Sequence, residues 1–249
     1  MSQRVAADLH VHTALSPCGG DEMRPAEILL TAEQRGIGVL GVVDHSTAGN
    51  AWAVVEAAQA FEVRVFVGLE IESAEGVHVL ALFDHAKAAM ELDALIAEHL
   101  PPLRNRPDLF GEQFLLDEWG EPLGTDERLL AAATDLSVEA IAEMTAEHGG
   151  LSMPAHIDRT VNGLLPVLGF VPPGLRVAAF EVSQHMTRSE ARVRWPELAS
   201  RPLVTGSDAH YLEDIGVAWT WISRDLAAAP LAAREWGRKL GQEMLSLGD

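Results

Sequence analysis

The sequence contains almost no cysteine and few basic residues. Cys18 is the only cysteine among 249 residues, so no disulfide can form within the chain and nothing indicates an oxidising compartment. Lysine and arginine number 18 against 37 aspartate and glutamate residues, which gives a formal net charge of −19. A general nucleic-acid coat or a protein that binds anionic membranes needs a basic face. The composition therefore excludes a protein that is basic over its whole surface.

Long apolar segments are also missing. The first residues, MSQRVAADLH, lack the apolar core of a signal peptide. The longest apolar runs, such as Val39–Val43 and Val63–Leu69, are far shorter than the ~20 residues of a membrane span. We therefore expect a cytoplasmic protein without a membrane partner.

Short apolar runs alternate with helix-like stretches along most of the chain. Hydrophobic residues make up 48% and charged residues 22%, which is typical of a globular chain. The runs predict strands at Val5–Val11, Val39–Val43, Val63–Leu69, Val77–Leu82, Leu151–Pro154, Val177–Val182 and Leu203–Thr205, with an edge strand at Val217–Ile222. Helices are predicted at Pro25–Arg35, Ala51–Phe61, Ala86–His99, Val138–His148, Arg188–Ser200 and Leu231–Leu247. This order predicts an α/β protein with a barrel-like or doubly wound parallel sheet.

One segment interrupts the alternation. Residues 100–134 are rich in proline, glycine, aspartate and glutamate, and a structureless loop of that length is unusual inside a compact domain. We interpret it as a lid-like insertion over the mouth of a single domain of residues 1–249. Its expected anchors are Phe110, Phe114, Leu115 and Trp119. A plain surface insertion is the alternative.

Histidines concentrate at the ends of the predicted strands. Six of the ten lie there: His10, His12, His45, His78, His156 and His210. Glu70 and Asp208 occupy similar positions, whereas His78 is an exception because it opens its strand. Residues i and i+2 of a strand point to one face, so His10 and His12 can share a metal.

The positions of these residues favour a barrel over an open sheet. In a parallel barrel the carboxyl ends of the strands converge on one rim, whereas an open sheet would spread the same residues along a line. Imidazole and carboxylate ligands suit zinc, iron or manganese, and a bridging glutamate allows two metals to lie close together. The pattern therefore predicts a metal centre at the strand ends.

The segments that carry these residues are Asp8–Thr13, Val43–His45, Gly68–Glu70, Pro154–His156 and Ser207–His210. Together they resemble the successive motifs of the PHP (polymerase and histidinol phosphatase) family. Leu15–Cys18 and Ala155–Arg159 further resemble its stand-alone branch of metal-dependent phosphoesterases. The resemblance runs from residue 5 to about 211.

The resemblance implies a distorted (β/α)7 TIM-like barrel with two or three divalent metals (zinc, manganese or iron). The first metal would be held by His10, His12, Glu70 and Asp208. Glu70 would bridge to a second metal, which His78 and His156 complete. A third metal would take His45, His210 and a residue of the loop after the first strand. For that ligand we prefer Cys18 to Asp21, because thiolate suits zinc.

The activity implied is hydrolysis of a small phosphomonoester or phosphodiester by a hydroxide that bridges two metals. Glu70 and Asp208 would be catalytic, together with Arg159, whose guanidinium can bind phosphate bidentately. Mutation of Glu70 to glutamine is expected to remove both metal and activity.

Several other polar residues are candidates for supporting roles. Asp8 and Asp44 are predicted to orient histidine ligands by hydrogen bonds, with turn capping as the alternative. His185 and Arg188, after the sixth strand, are further candidates for phosphate binding. Glu181 also ends a strand, and its role is open between ligand and structural residue.

The expected partner is a small phosphorylated substrate, with nucleotides or short oligonucleotides preferred on family analogy alone. Long nucleic acid is not expected, because the body of the protein is acidic. Three alternatives are a histidinol-phosphatase-like enzyme, an amidohydrolase or deaminase, and a non-catalytic accessory domain stabilised by metal. Binuclear amidohydrolases often use a carboxylated lysine, but Lys87 and Lys239 both lie away from strand ends. The oligomeric state is left open.

Overall fold

A curled six-stranded sheet is the centre of the fold. The computed structural model describes residues 4–247. Its strands are β1 (Arg4–Val11), β2 (Ile37–His45), β3 (Arg64–Glu72), β4 (His78–Phe83), β5 (Phe114–Leu116), β6 (Pro122–Thr125), β7 (Leu151–Pro154), β8 (Phe180–Val182), β9 (Leu203–Thr205) and β10 (Thr220–Ser223). Its helices are α1 (Pro25–Gln34), α2 (Ala51–Ala57), α3 (Ala86–His99), α4 (Pro107–Phe110), α5 (Val138–Glu147), α6 (Leu164–Leu168), α7 (Arg188–Arg194), α8 (Arg224–Ala228) and α9 (Ala233–Leu247).

The six-stranded sheet is mixed, with the order β10-β1-β2-β3-β4-β7. Strands β1, β2 and β3 run parallel, whereas β4 is antiparallel to both β3 and β7. In the pairing of β3 with β4, Glu72 lies opposite His78. The start of β4 therefore lies at the edge where β3 ends, which explains why His78 opens its strand and still joins the other histidines.

The sheet confirms the α/β class, but it does not confirm a closed (β/α)7 barrel. In the described part of the chain, β8 and β9 form a separate parallel pair. Isolated backbone hydrogen bonds link this pair to the large sheet: Ala178 N donates to Ser152 O at 2.9 Å, and His12 N donates to Ala209 O at 2.9 Å. The strands thus curl toward one another without a continuous ladder.

Buried apolar side chains cover both faces of the large sheet. On the inner face, Phe66 packs against Trp236 of α9, with 4.7 Å between ring centroids. Because side chains alternate along a strand, Glu70 shares this inner face with Phe66, and His78 shares it with Leu80. The inner face is therefore apolar toward α9 and carries ligand side chains at its other end.

Local signals in the sequence explain where several helices begin and end. Pro25 occupies the first position of α1, and the Ser137 side chain caps α5 by accepting a hydrogen bond from Ala140 N. The predicted helix at Arg188–Ser200 is instead interrupted after Arg194. Pro196 follows, and proline disfavours helical backbone at the preceding residue.

Residues 100–134 are fastened to the rest of the fold by the side chain of Asn50. Its Nδ2 donates to Phe114 O at 3.1 Å, and its Oδ1 accepts from Leu116 N at 2.9 Å. Leu116 is buried, whereas the predicted anchors Phe110 and Trp119 are 40% and 73% exposed. Phe114, another predicted anchor, is partly buried against the core. The contacts of Asn50, together with Phe114 and Leu116, therefore hold the insertion in place.

No helix in the part of the chain that the structure describes is long and apolar enough to cross a membrane.

Candidate metal centre

Six imidazoles and two carboxylates meet where β1, β2 and β3 end and β4 begins. They are His10, His12, His45, His78, His156, His210, Glu70 and Asp208. Four of these residues (His10, His12, Glu70 and His156) are at most 1% exposed. The structure thus brings together every predicted metal ligand except Cys18.

The first predicted ligand set is compact. Nε2 of His10 lies 3.2 Å from Nε2 of His12, and both atoms lie 3.3 Å from Asp208 Oδ1. The Glu70 oxygens lie 3.4 Å from the same two nitrogens. A tetrahedral site with metal–ligand bonds of about 2.0–2.1 Å has edges of roughly 3.3–3.4 Å. The spacing of His10, His12 and Asp208 matches such edges, and Glu70 approaches the two histidines with one oxygen each.

The resemblance assigns His78 and His156 to a second metal, but among the described residues His156 belongs to no ligand group and His45 takes its place. Glu70 thus forms a second ligand group with His45 and His78. Its Oε1 lies 2.7 Å from His78 Nδ1 and 3.2 Å from His156 Nε2, and its Oε2 lies 3.1 Å from His45 Nδ1. Glu70 Oε2 and His156 Nδ1 are buried and have no hydrogen-bond partner. Buried polar atoms are rarely left unpaired, and metal coordination is one way to satisfy them. This carboxylate is thus placed between two ligand groups, as expected of a bridging residue.

His12, His45 and His210 form a third group. The rings of His12 and His210 stack at 4.1 Å between centroids. Neither Cys18 nor Asp21 belongs to a ligand group among the described residues; both are exposed in the loop after β1. The choice between them as the third-site ligand stays a prediction, and His12 is the residue that completes this group.

Hydrogen bonds fix the orientation of both histidines from β1. Glu181 accepts from His10 Nδ1, with its two oxygens at 3.0 and 3.2 Å. Ser16 Oγ donates to Asp44 Oδ1 at 2.7 Å and accepts from His12 Nδ1 at 2.9 Å. In both rings Nδ1 carries the proton, so Nε2 is left for a metal. Asp44 thus reaches the His12 ring through Ser16, a residue that the sequence analysis did not single out.

Asp8 bonds to backbone groups of a loop rather than to a histidine ring, as in the turn-capping alternative. Its carboxylate accepts from Ser207 N and Gly216 N, both at 2.9 Å. These bonds hold the loop after β9, which carries Asp208 and His210. Burial raises the pKa of Asp8 to about 6, although the hydrogen bonds from Ser207 and Gly216 oppose that rise.

Of the three predicted phosphate-binding residues, Arg159 alone is shown beside the cluster. Its Nη1 donates to Asp208 Oδ2 at 2.6 Å, and its side chain is 48% exposed. His185 is exposed after β8 and belongs to none of the ligand groups found among the described residues. Arg188 donates to Leu203 O at 3.4 Å and lies 3.6 Å from Met244 Sδ of α9.

Strained backbone surrounds the cluster. Among the described residues, positive φ outside glycine occurs at Ser46, His156, Asn162 and Asp208. Asn162 accepts from His78 N through its carbonyl, and its side chain contacts His78 Nε2. Each such conformation costs on the order of 1–3 kcal/mol and persists where surrounding contacts enforce it, commonly at functional sites.

The pKa values of Glu70 and of the histidines determine which of these side chains are charged at neutral pH. Burial alone would raise the pKa of Glu70, but His78, His10 and His45 lower it well below its usual range. Burial lowers the pKa of His45 to about 4 and that of His12 well below its usual value. At neutral pH the carboxylate is therefore ionised and these two imidazoles are neutral, which are the forms that bind metals.

Against the effect of burial, Glu181, Asp208 and Glu70 raise the pKa of His10 well above its usual value, and Glu70 raises that of His78 to about 9. A metal would therefore have to displace a proton from each of these two rings.

Two protein-family models together match most of the chain. A family model described as the PHP domain matches residues 8–158. A second model, described as PHP-associated, matches residues 193–234. An uncharacterised protein of Methanocaldococcus jannaschii is 33% identical over 85 residues, which cover 31% of this chain and 49% of that protein.

Solved structures show a similar fold. A lesion-specific endonuclease from Pyrococcus furiosus, PfuEndoQ, is 18% identical with a TM-score of 0.63. That alignment covers 86% of this chain and 51% of the endonuclease, so this chain spans about half of its length. A structure described as a putative metal-dependent phosphoesterase from Bifidobacterium adolescentis is 16% identical with a TM-score of 0.59, covering 88% of this chain and 94% of that one. At these identities the similarity concerns the fold.

Proposed function

This chain belongs to the PHP domain family, and on that basis we propose that it is a metal-dependent hydrolase that cleaves small phosphoesters. The observation that carries the proposal is the position of Glu70 between two groups of histidines, with a buried oxygen that lacks a hydrogen-bond partner. Divalent metals bound there would lower the pKa of water and neutralise phosphoryl oxygens. Hydrolysis of phosphoesters is the reaction that this chemistry would support.

The side chains around the cluster have distinct tasks in this proposal. His10 and His12 offer Nε2, because Glu181 and Ser16 occupy their Nδ1 atoms. Arg159 holds Asp208 Oδ2, which leaves Oδ1 beside the two histidines. Since Arg159 is half-exposed at the edge of the cluster, its remaining N–H groups are available to donate to a phosphate oxygen.

The substrate we favour is a nucleotide or a short oligonucleotide. The structural similarity to an endonuclease supports this class, although this chain spans about half of that protein. The formal charge of −19 disfavours a long nucleic acid, because neutralising many phosphates requires lysine and arginine. Zinc, manganese and iron all suit the ligands.

The proposal is tested by loading the protein with metal and assaying phosphomonoesters, phosphodiesters and short oligonucleotides. We expect hydrolysis of at least one class and at least two transition metals per chain. Glu70→Gln should lose both the hydrolysis and the bound metals. Glu75→Gln should keep the activity and the metals, because Glu75 is exposed outside the cluster. Full activity in Glu70→Gln would refute the scheme. Turnover of amide substrates alone would instead favour the amidohydrolase alternative.

A further inference from the structure

A cavity of about 530 Å³ adjoins the metal cluster beside His45. Three parts of the chain form its wall: the loop after β1 at Cys18, the insertion at Leu109 and Phe110, and the loop after β9 at Tyr211. Its volume lies within the ~300–1,000 Å³ typical of small-molecule sites. It is therefore large enough for part of a substrate whose reacting group lies at the cluster.

Two aromatic rings line this cavity while retaining much of their exposure. Phe110 is 40% and Tyr211 is 48% exposed. Neither ring is used to fill the core, although each is among the larger apolar groups of the chain. Exposed aromatic rings that line one cavity offer surfaces on which a planar ligand can stack.

The wall of the cavity carries neither carboxylate nor guanidinium nor ammonium groups in the described part of the chain. This is notable because the sequence has 37 acidic residues. The lining would not repel an anionic substrate, and it offers no cation to bind a second phosphate. An uncharged aromatic wall next to the cluster thus suits the uncharged planar part of a phosphorylated molecule.

The parts of the wall are fixed relative to one another. Phe114 N donates to Ala14 O at 3.0 Å, and Gly20 N donates to His210 O at 2.9 Å. Gly111, which follows Phe110, has a φ of +82°, and a Cβ there would lie 2.9 Å from Pro17 O. The insertion therefore lies directly against the loop after β1, and backbone contacts hold the parts of the wall together.

We propose that this cavity binds the nucleobase of a nucleotide substrate, with Phe110 and Tyr211 as its stacking surfaces. The inference rests on the proposed phosphoesterase function, because the scissile phosphate would lie at the metal cluster. Stacking tolerates any base, since every base presents a π-face. The subsite would distinguish nucleotides from phosphoesters that lack a planar group.

The kinetic test compares a nucleoside monophosphate with ribose 5-phosphate. Phe110→Leu and Tyr211→Leu should each raise KM for the nucleotide on the order of tenfold. The kinetic constants for ribose 5-phosphate should stay within about twofold. Tyr211→Phe keeps the ring and should retain the wild-type KM. Trp119→Leu is the matched control, because Trp119 is 73% exposed on the same insertion but does not line the cavity.

Two results would contradict the proposed base subsite. One is an equal rise in KM for the nucleotide and for ribose 5-phosphate, and the other is an unchanged KM for the nucleotide in both leucine variants. A binding measurement separates this failure from failure of the proposed function. Adenosine, which has no phosphate, should bind the metal-loaded protein in an NMR titration and bind about tenfold more weakly in the leucine variants. This binding can be measured even if no phosphoester is hydrolysed. A dinucleotide assayed beside the mononucleotide shows whether the base comes from an oligonucleotide or a free nucleotide.

Discussion

His78 lies opposite Glu72 in the antiparallel pairing of β3 with β4, and its Nδ1 reaches diagonally to Glu70 Oε1 at 2.7 Å. This contact exists because β4 reverses direction beside β3. The first residue of one strand thereby reaches a residue near the end of the other. The parallel strands contribute cluster residues from their carboxyl ends. The antiparallel strand β4 contributes His78 to the same edge from its amino end.

The hydrogen bond between Glu181 and His10 makes metal affinity sensitive to Glu181. In Glu181→Gln the buried carboxylate is lost, so His10 is oriented less firmly and its Nε2 becomes a weaker ligand. We expect metal affinity to fall about 10- to 100-fold, measured by competition with a chelator. Glu197→Gln is the control, because Glu197 is exposed and outside the cluster. Equal affinities in the two variants would contradict an orienting role.

Ser16 joins Asp44 to His12, so removing its hydroxyl should affect folding even without metal. Ser16→Ala leaves His12 Nδ1 without its acceptor and removes a donor to Asp44. We expect the free energy of unfolding of the metal-free protein to fall by about 1–3 kcal/mol in a denaturant titration. Ser246→Ala, at an exposed position of α9, should change it little. An unchanged midpoint in Ser16→Ala would show that the network does not stabilise the fold.

Removal of metal should lower the melting temperature. Ligand binding at about 100 times its Kd stabilises a protein by about 2.7 kcal/mol. For a chain of this size that energy corresponds to a shift of roughly 5–10 °C. Scanning calorimetry of chelator-treated and reloaded protein measures the difference, which should shrink in Glu70→Gln. Identical melting curves with and without metal would argue against a bound metal in the folded state.

Gly68 allows β3 and β4 to approach closely. A Cβ at this position would overlap the backbone oxygen of Ala81, which cannot move without breaking the strand pairing. Gly68→Ala should therefore destabilise the protein by about 3 kcal/mol, measured by denaturant unfolding. Gly20→Ala is the control, because its Cβ would meet only the exposed side chain of Glu22. Similar stabilities of the two variants would rule out this steric explanation.

The sequence predicted the convergence of the ligands but not the reason for it. A closed barrel was favoured because parallel strand ends converge, yet a curled sheet with a reversed β4 already brings His78 to Glu70. Hydrophobic periodicity identifies strands without giving their direction, so this reversal could not be predicted. The members of the first ligand group, His10, His12, Glu70 and Asp208, are those that the family resemblance implies.

Supporting residues were harder to predict than ligands. Glu181 lies 171 residues from His10 in sequence, and their hydrogen bond depends on tertiary packing. Ser16 lies in the Leu15–Cys18 segment that resembles the stand-alone branch, but the resemblance assigns it no role. Asn162 has no distinguishing pattern, since asparagine occurs commonly in loops. The position of Cys18 within its loop is likewise set by contacts that spacing does not encode.

The ligands of the centre come from distant parts of the chain. His10 and His12 are synthesised before the rest of the centre, whereas Asp208 and His210 emerge only after nearly all of the sheet has been synthesised. A chain stalled before β9 would have Glu70 and the first histidines but not the carboxylate that completes their group. Metal affinity depends on the full set of ligands. A nascent chain is therefore expected to bind metal tightly only after the residues that follow β9 have been synthesised.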